Sequence, residues 1–225
     1  LKPPVNEPNY KIKNYYRVIN KCKICSNYSA EHNINVDEFY KKNYSIISHG
    51  NNIKQKFKKI INLGKKSDNH HRINRVLKYF KSKKNKKIDL LDVGSGLSVF
   101  IYGLKKRVKW NLFGIEPDIN FVKFSKELNV NVKHSNLKSK IFKGKKFDII
   151  TLNKVVEHVK DPLKFLKIIN RLLKLNAQIY IEVPDGPSAA ASKNGKFSEE
   201  FFVDHINIFS KRSLKRLLSL SNFKI

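Results

Sequence analysis

From Ile88 to Val183 the apolar residues fall alternately into short continuous runs and into stripes at helical spacing. The runs Ile88–Val93, Trp110–Ile115, Val130–Lys133, Phe147–Leu152 and Gln178–Val183 are too short for stable helices. They read as strands buried on both faces. Between them, 97–106 can be helical, and 118–128 gives a helix with Ile119, Val122 and Leu128 inward. A longer helix opens at Asp161, an N-cap residue, with Pro162 in its first position. Leu163, Leu166, Ile169 and Leu173 form its stripe, and Asn176 suits its end. Short buried strands alternating with helices predict an α/β fold around a parallel sheet.

The flanking segments are less regular. Within 35–63, which also carries Phe39, Tyr40 and Tyr44, the residues Ile53, Phe57, Ile60 and Ile61 recur as one amphipathic helix that Gly64 would end. Ser67 or Asp68 can cap the next helix, whose inward stripe is Ile73, Val76, Leu77 and Phe80. His70 and His71 are adjacent there and point in different directions, so they are no paired site. The basic run 81–87 is a solvated connection. Ser188–Lys196 is small, polar and glycine-containing, which predicts a mobile loop able to act as a lid. Ser210 then caps a helix with Leu214, Leu217 and Leu218 inward. At the other end, residues 1–20 are polar, with Pro3, Pro4 and Pro8, and read as an extended arm without a core. The expected division is an N-terminal extension, 1–66, followed by one α/β domain, 67–225.

The turn after the first of these runs carries the chemistry. Asp92-Val93-Gly94-Ser95-Gly96 leaves the strand through two glycines, which let backbone approach a ligand closely. Glu116 ends the second run about twenty residues on, where an acid can accept from ribose hydroxyls. A dinucleotide fingerprint wants a further glycine at 99, which is Val99, and no phosphate-cradling Gly-x-x-x-x-Gly-Lys-Ser/Thr occurs. Asp92 would repel a pyrophosphate but suits a cationic ligand such as a sulfonium bearing an amino group.

Asp92-Val93-Gly94-Ser95-Gly96 together with Gly114-Ile115-Glu116-Pro117-Asp118 resembles the first two motifs of class I S-adenosylmethionine-dependent methyltransferases. Ser98 stands where the common form has a third glycine. Val155-Val156-Glu157-His158-Val159-Lys160-Asp161-Pro162 resembles the Leu-Glu-His-Val-x-Asp-Pro segment of the same superfamily. The resemblance covers Ser67 to Ile225. It implies a Rossmann-like fold with sheet order 3-2-1-4-5 and the cofactor across the carboxyl ends of strands 1, 2 and 4. Such a fold ends in an antiparallel hairpin, and the chain stops at Phe223-Lys224-Ile225, so it reads as a fragment cut at both ends. The implied S-adenosylmethionine-binding residues are Asp92, Gly94, Ser95, Gly96, Glu116, Pro117 and Asn153, with Asn136 and Leu137 beside the adenine. His158 and His205 are the implied catalytic residues, with Asp204 orienting His205 and Glu157 shaping the cofactor pocket.

Composition bears on the acceptor. The net charge of +29 invites a polyanion, but only seven of the 47 basic residues are Arg. Nucleic-acid sites favour Arg where contacts are bidentate, and an excess of Lys, Asn and Ile is what an AT-rich coding sequence produces. The expected acceptor is a small molecule, a sugar or sugar nucleotide whose phosphates a basic surface would welcome. RNA or another polyanion is the alternative, and a binding protein that has lost the reaction is a third reading. Cys22-Lys23-Ile24-Cys25 could give zinc two thiolates of the four ligands a structural site needs, with His32 the nearest further candidate. The spacing resembles the first half of the zinc-binding N-terminal domain of some sugar C-methyltransferases, whose second Cys pair is absent here. No metal is therefore expected, with Cys22 and Cys25 the pair to watch. Neither a membrane-spanning apolar stretch nor a signal-peptide core occurs, which points to the cytoplasm and to no structural disulfide.

Overall fold

The computed structural model describes residues 2–4, 6–8, 10, 12, 14–32, 52–83, 86–137, 141–142 and 144–225. Phe39, Tyr40 and Tyr44 lie outside these. Packing divides the chain into two compact units, one of 1–39, 154–170 and 181–225, the other of 40–153 and 171–180. This is a different division from the one at residues 66 and 67, because segments distant in sequence join each unit.

In the first unit, β1 (Arg17–Lys21) and β2 (Tyr28–His32) form an antiparallel hairpin. The expected bare arm is corrected here. One face of the hairpin buries Arg17 and Ile19 from β1, and Tyr28 and Ala30 from β2. Its period of two was hidden because one inward residue is an arginine. The Cys22–Cys25 turn closes the hairpin and both thiols are free. His32 pairs with Arg17 at the opposite end, whereas Lys21 pairs with Tyr28 beside the turn. Four residues of strand, about 13 Å, separate His32 from the cysteines, so it cannot complete a zinc site with them.

In the second unit, β3 (Asp89–Val93), β4 (Asn111–Glu116), β5 (Val132–His134), β6 (Phe147–Asn153) and β7 (Leu173–Glu182) form a five-stranded sheet of order β5-β4-β3-β6-β7. The registers of β3 with β4 and β6, and of β4 with β5, are parallel. This is the Rossmann-like order 3-2-1-4-5. Helices α1 (Ile53–Asn62), α2 (Asp68–Tyr79), α3 (Val99–Lys105) and α4 (Ile119–Glu127) belong to the same unit. Asn52 caps α1 and Ser67 caps α2 through their side chains. Ile73, Val76 and Phe80 join Leu90, Ile101, Leu104 and Ile149 in its main core, with Leu77 packed against them.

Four expectations are corrected in detail. In α4, capped by Asp118, Ile119 stands in the first position and is 41% exposed, while Phe121, Val122 and Phe124 turn inward. In α1, Ile61 is exposed and Phe57 alone is buried. Helix α5 (Pro162–Leu172) ends before Leu173, which opens β7, so Asn176, left-handed (φ 58°), lies inside that strand and does not end the helix. Ser188–Lys196 is not an open loop: α6 (Gly186–Ala190) runs into it, and a 3-10 turn, Gly195–Phe197, closes it. Pro187 at the start of α6 was the overlooked signal.

In the first unit, β8 (Asn207–Ile208) adds to β2, and α7 (Lys211–Leu220) follows with a capping box between Ser210 and Ser213. Leu214, Leu217 and Leu218 share one face of α7 and are half-buried.

Candidate active site

The carboxyl end of β3 is built around two buried acids. Gly94 and Ser95 both donate their backbone N–H to the Ile115 carbonyl, at 2.9 and 3.1 Å, which ties the turn to β4. Gly96 N–H donates to Glu116 Oε2 at 2.8 Å, and Asp118 N–H to Oε1 at 2.9 Å. One carboxylate therefore organises both loops. Across the sheet, Asp92 Oδ1 accepts from Thr151 Oγ1 at 2.7 Å and Asn153 Nδ2 at 3.0 Å, both at the end of β6. Thr151 is fully buried and was passed over in the sequence, although a hydroxyl within Ile149-Ile150-Thr151-Leu152 was the available signal.

Burial raises both acids, Asp92 to about 6 and Glu116 to about 7, against the hydrogen bonds that favour ionisation. Two features of the cradle bear on a ligand. A Cβ built on Gly96 (φ +48°) would meet nothing within 4 Å. Asn153 Oδ1, beside Asp92, is a buried acceptor without a partner among the described residues. A cation with N–H donors fits that pair of acceptors, and Glu116 keeps lone pairs for hydroxyl donors. These residues fit S-adenosylmethionine. Pro117 lies in the β4–α4 turn, its carbonyl accepting from His134 Nε2 at 2.8 Å. Asn136 and Leu137 follow β5 just after Ser135, whose N–H donates to the Glu116 carbonyl at 3.0 Å.

Gly114 has a role that the motif alone did not reveal. A Cβ there would lie 2.4 Å from Ser95 Oγ and 2.9 Å from both Ile101 and Val132. Overpacking of this kind costs about 1–3 kcal/mol. Gly114→Ala is expected to lower stability by that amount in denaturant titration, and an unchanged midpoint would show that the turn yields freely. Ser98 offers the opposite change. It is left-handed (φ 58°), 1% exposed, and its hydroxyl has no partner among the described residues. Ser98→Gly should stabilise by about 1 kcal/mol, read as a rise in melting temperature; a fall would contradict the strain assigned to this backbone.

In the first unit, the chain continues from Asn153 into a 3-10 turn, Val156–His158. His158 Nδ1 is 3.0 Å from the Asp204 carbonyl oxygen and 3.5 Å from that residue's carboxylate. His205 Nδ1 is 2.7 Å from the Glu200 carbonyl oxygen. Asp204 therefore sits at Nδ1 of His158, whereas Asp204 was expected to orient His205, whose Nδ1 meets the Glu200 carbonyl. The imidazole centroids are 4.7 Å apart. Burial foremost, and then His158, push His205 down to about 4, which leaves it neutral at pH 7. Glu157 is 0% exposed, and burial raises its pKa. Neither of its carboxylate oxygens has a hydrogen-bond partner among the described residues.

The segment bearing Asp204 and His205 is held by the N-terminal stretch of the same unit. Glu7 accepts from the Val203 N–H at 2.6 Å, and the fully buried Arg17 guanidinium donates to the Phe201 carbonyl. Nothing in the sequence singled out these two residues, because their partners lie some two hundred positions away.

Residues 66–225 match the family model described as "Methyltransferase domain". No curated protein matches the chain. Among solved structures it is similar to a SAM-dependent methyltransferase from Archaeoglobus fulgidus, at 19% identity over 71% of each chain, TM-score 0.53. It is similar to the plantazolicin methyltransferase BamL, solved with a triazolic desmethylPZN analog and SAH, at 18% identity over 83% of this chain and 73% of that one, TM-score 0.57. It is also similar to magnesium protoporphyrin IX methyltransferase from Synechocystis PCC 6803 with bound SAH, at 13% identity over 69% and 73%, TM-score 0.53. At these identities the likeness is one of fold.

Proposed function

The chain belongs to the methyltransferase-domain family as an S-adenosylmethionine-dependent methyltransferase, and from that premise we propose that it methylates a small, oxygen-rich molecule, a sugar or sugar nucleotide. The observation that carries the cofactor half of this reading is the pair of buried acids flanking the Gly94–Gly96 turn. Asp92 and the unpartnered Asn153 Oδ1 would hold the cofactor's ammonium group, and Glu116 would accept from its ribose hydroxyls. Asn136 and Leu137 would border the adenine. When bound, the cofactor supplies a methyl group on a sulfonium, which an in-line nucleophile displaces. The protein's task is then to hold the acceptor in line and to manage its proton.

His158, His205 and Asp204, with Glu157, form the acceptor-handling group in this reading. BamL is named for plantazolicin and the Synechocystis enzyme for magnesium protoporphyrin IX. Neither name is that of a nucleic-acid enzyme, which supports a small acceptor here. No helix among the described residues is long and apolar enough to cross a membrane, and a cytoplasmic place belongs to the same reading.

The test is transfer of labelled methyl from S-adenosylmethionine to a panel of nucleotide sugars, free sugars and RNA. Label in a sugar fraction, little changed between about 50 and 200 mM salt, is the expected result. Label in RNA that falls steeply over that range would instead assign the charge of +29 to a polyanion acceptor. Cofactor binding without transfer to any acceptor would favour a protein that has kept the fold and lost the reaction.

A further inference from the structure

Glu157, His158 and His205 form the one group of three such side chains among the described residues whose ligand atoms all lie within 4.8 Å of one another. We propose that these three residues bind one divalent transition-metal cation, of the Zn²⁺, Mn²⁺ or Co²⁺ class.

The hydrogen bonds around the group prepare it for this. A carbonyl oxygen can only accept, so the Nδ1 atoms of His158 and His205 must both carry their protons. That fixes the tautomer and leaves the lone pair of each ring on Nε2. An N–H donated to a backbone carbonyl or carboxylate is the outer-shell support of metal-bound histidines, and here both rings have it. The Asp204 carboxylate, 3.5 Å from His158 Nδ1, adds negative charge behind one of them. The third member is the independent sign of a ligand. Glu157 is 0% exposed and neither carboxylate oxygen has a hydrogen-bond partner among the described residues, an arrangement that calls for a bound ion, a water or a proton on the carboxyl. Only its own backbone N–H favours its ionisation locally, besides the charges of His158 and Lys154. One ligand atom from each of the three side chains thus lies within 4.8 Å of the others.

Two imidazoles and one carboxylate are the donor set of catalytic zinc and of facial-triad iron sites, which keep positions open. Bonds of about 2.0–2.2 Å require the three atoms to close in by roughly an ångström, a side-chain rotation. The open positions suit an oxygen donor. A hydroxyl bound there would lose its proton to solvent more readily. The metal site itself does not depend on the acceptor reading above.

The experiment is equilibrium dialysis of the chelator-treated full chain against Zn²⁺ and Co²⁺, with Mg²⁺ as the hard-cation control and the visible spectrum of Co²⁺ as signature. One equivalent of Zn²⁺ or Co²⁺ per chain is expected, weakened at least about tenfold in Glu157→Gln and in His205→Ala. The Cys22→Ser/Cys25→Ser double variant should bind as the wild type does. Circular dichroism confirms that each variant is folded, and metal should raise the melting temperature of the wild type but not of Glu157→Gln. No binding by the folded wild type, or binding lost only with the two cysteines, overturns the proposal. S-adenosylmethionine titrated into the metal-free protein reports separately on the cofactor site, so the two readings fail independently.

Discussion

Glu116→Ala should weaken S-adenosylmethionine binding by about 2–4 kcal/mol, roughly thirty- to a thousandfold. The carboxylate has three tasks in this account, accepting from Gly96 N–H, from Asp118 N–H and from the cofactor's ribose. Removing it strands two backbone donors and loosens the turn as well as deleting a ligand contact. Glu116→Gln keeps the shape and one acceptor oxygen, so it should fall between wild type and Ala. Titration calorimetry checks the order. Equal affinities in all three proteins would mean that Glu116 is scaffolding alone.

The second large effect is on pH. Asp92 and Glu116 are raised from 3.8 and 4.5 to about 6 and about 7 by burial. A carboxyl raised on folding contributes stability that is complete below its unfolded pKa and is lost as pH climbs through the folded one. The ligand-free protein should therefore lose this contribution between about pH 4 and 7. A cationic ligand reverses the preference, because it favours the ionised acids. Affinity for S-adenosylmethionine should rise about tenfold per pH unit for each acid still protonated, levelling off above about pH 7. Up to two protons should be released on binding near pH 5.5, and almost none at pH 8. Calorimetry in buffers of different ionisation heat measures this. Proton uptake, or an affinity flat from pH 5 to 8, would contradict the placing of the ammonium beside Asp92 and of the ribose hydroxyls on Glu116.

How far the sequence showed these features depends on what each feature rests on. The five strands of the sheet were legible because continuous runs such as Leu90-Leu91 and Ile149-Ile150 have no other use in so short a segment. The glycine turn and Glu116 were legible because backbone geometry restricts the residue types there. Helix faces were less secure: Ile119 was read inward by spacing, but the Asp118 cap sets the first turn outward and Phe121 and Phe124 bury more surface. The β1–β2 hairpin was hidden by Arg17, whose burial depends on carbonyls such as that of Phe201 far along the chain. The same holds for the cluster of Glu157, His158 and His205. Glu157 and His158 stood out as neighbours, but the convergence of His205 on them, and the transfer of Asp204 to His158 Nδ1, are made by tertiary packing that no local pattern encodes.

The most direct single measurement is calorimetric titration of the chain with S-adenosylmethionine, with NAD as control, beside Asp92→Asn and Glu116→Ala. Micromolar binding of S-adenosylmethionine, none of NAD, and marked weakening in both variants are expected. Binding of NAD in preference, or no binding of either by the folded protein, would contradict the cofactor assignment on which the proposed activity stands.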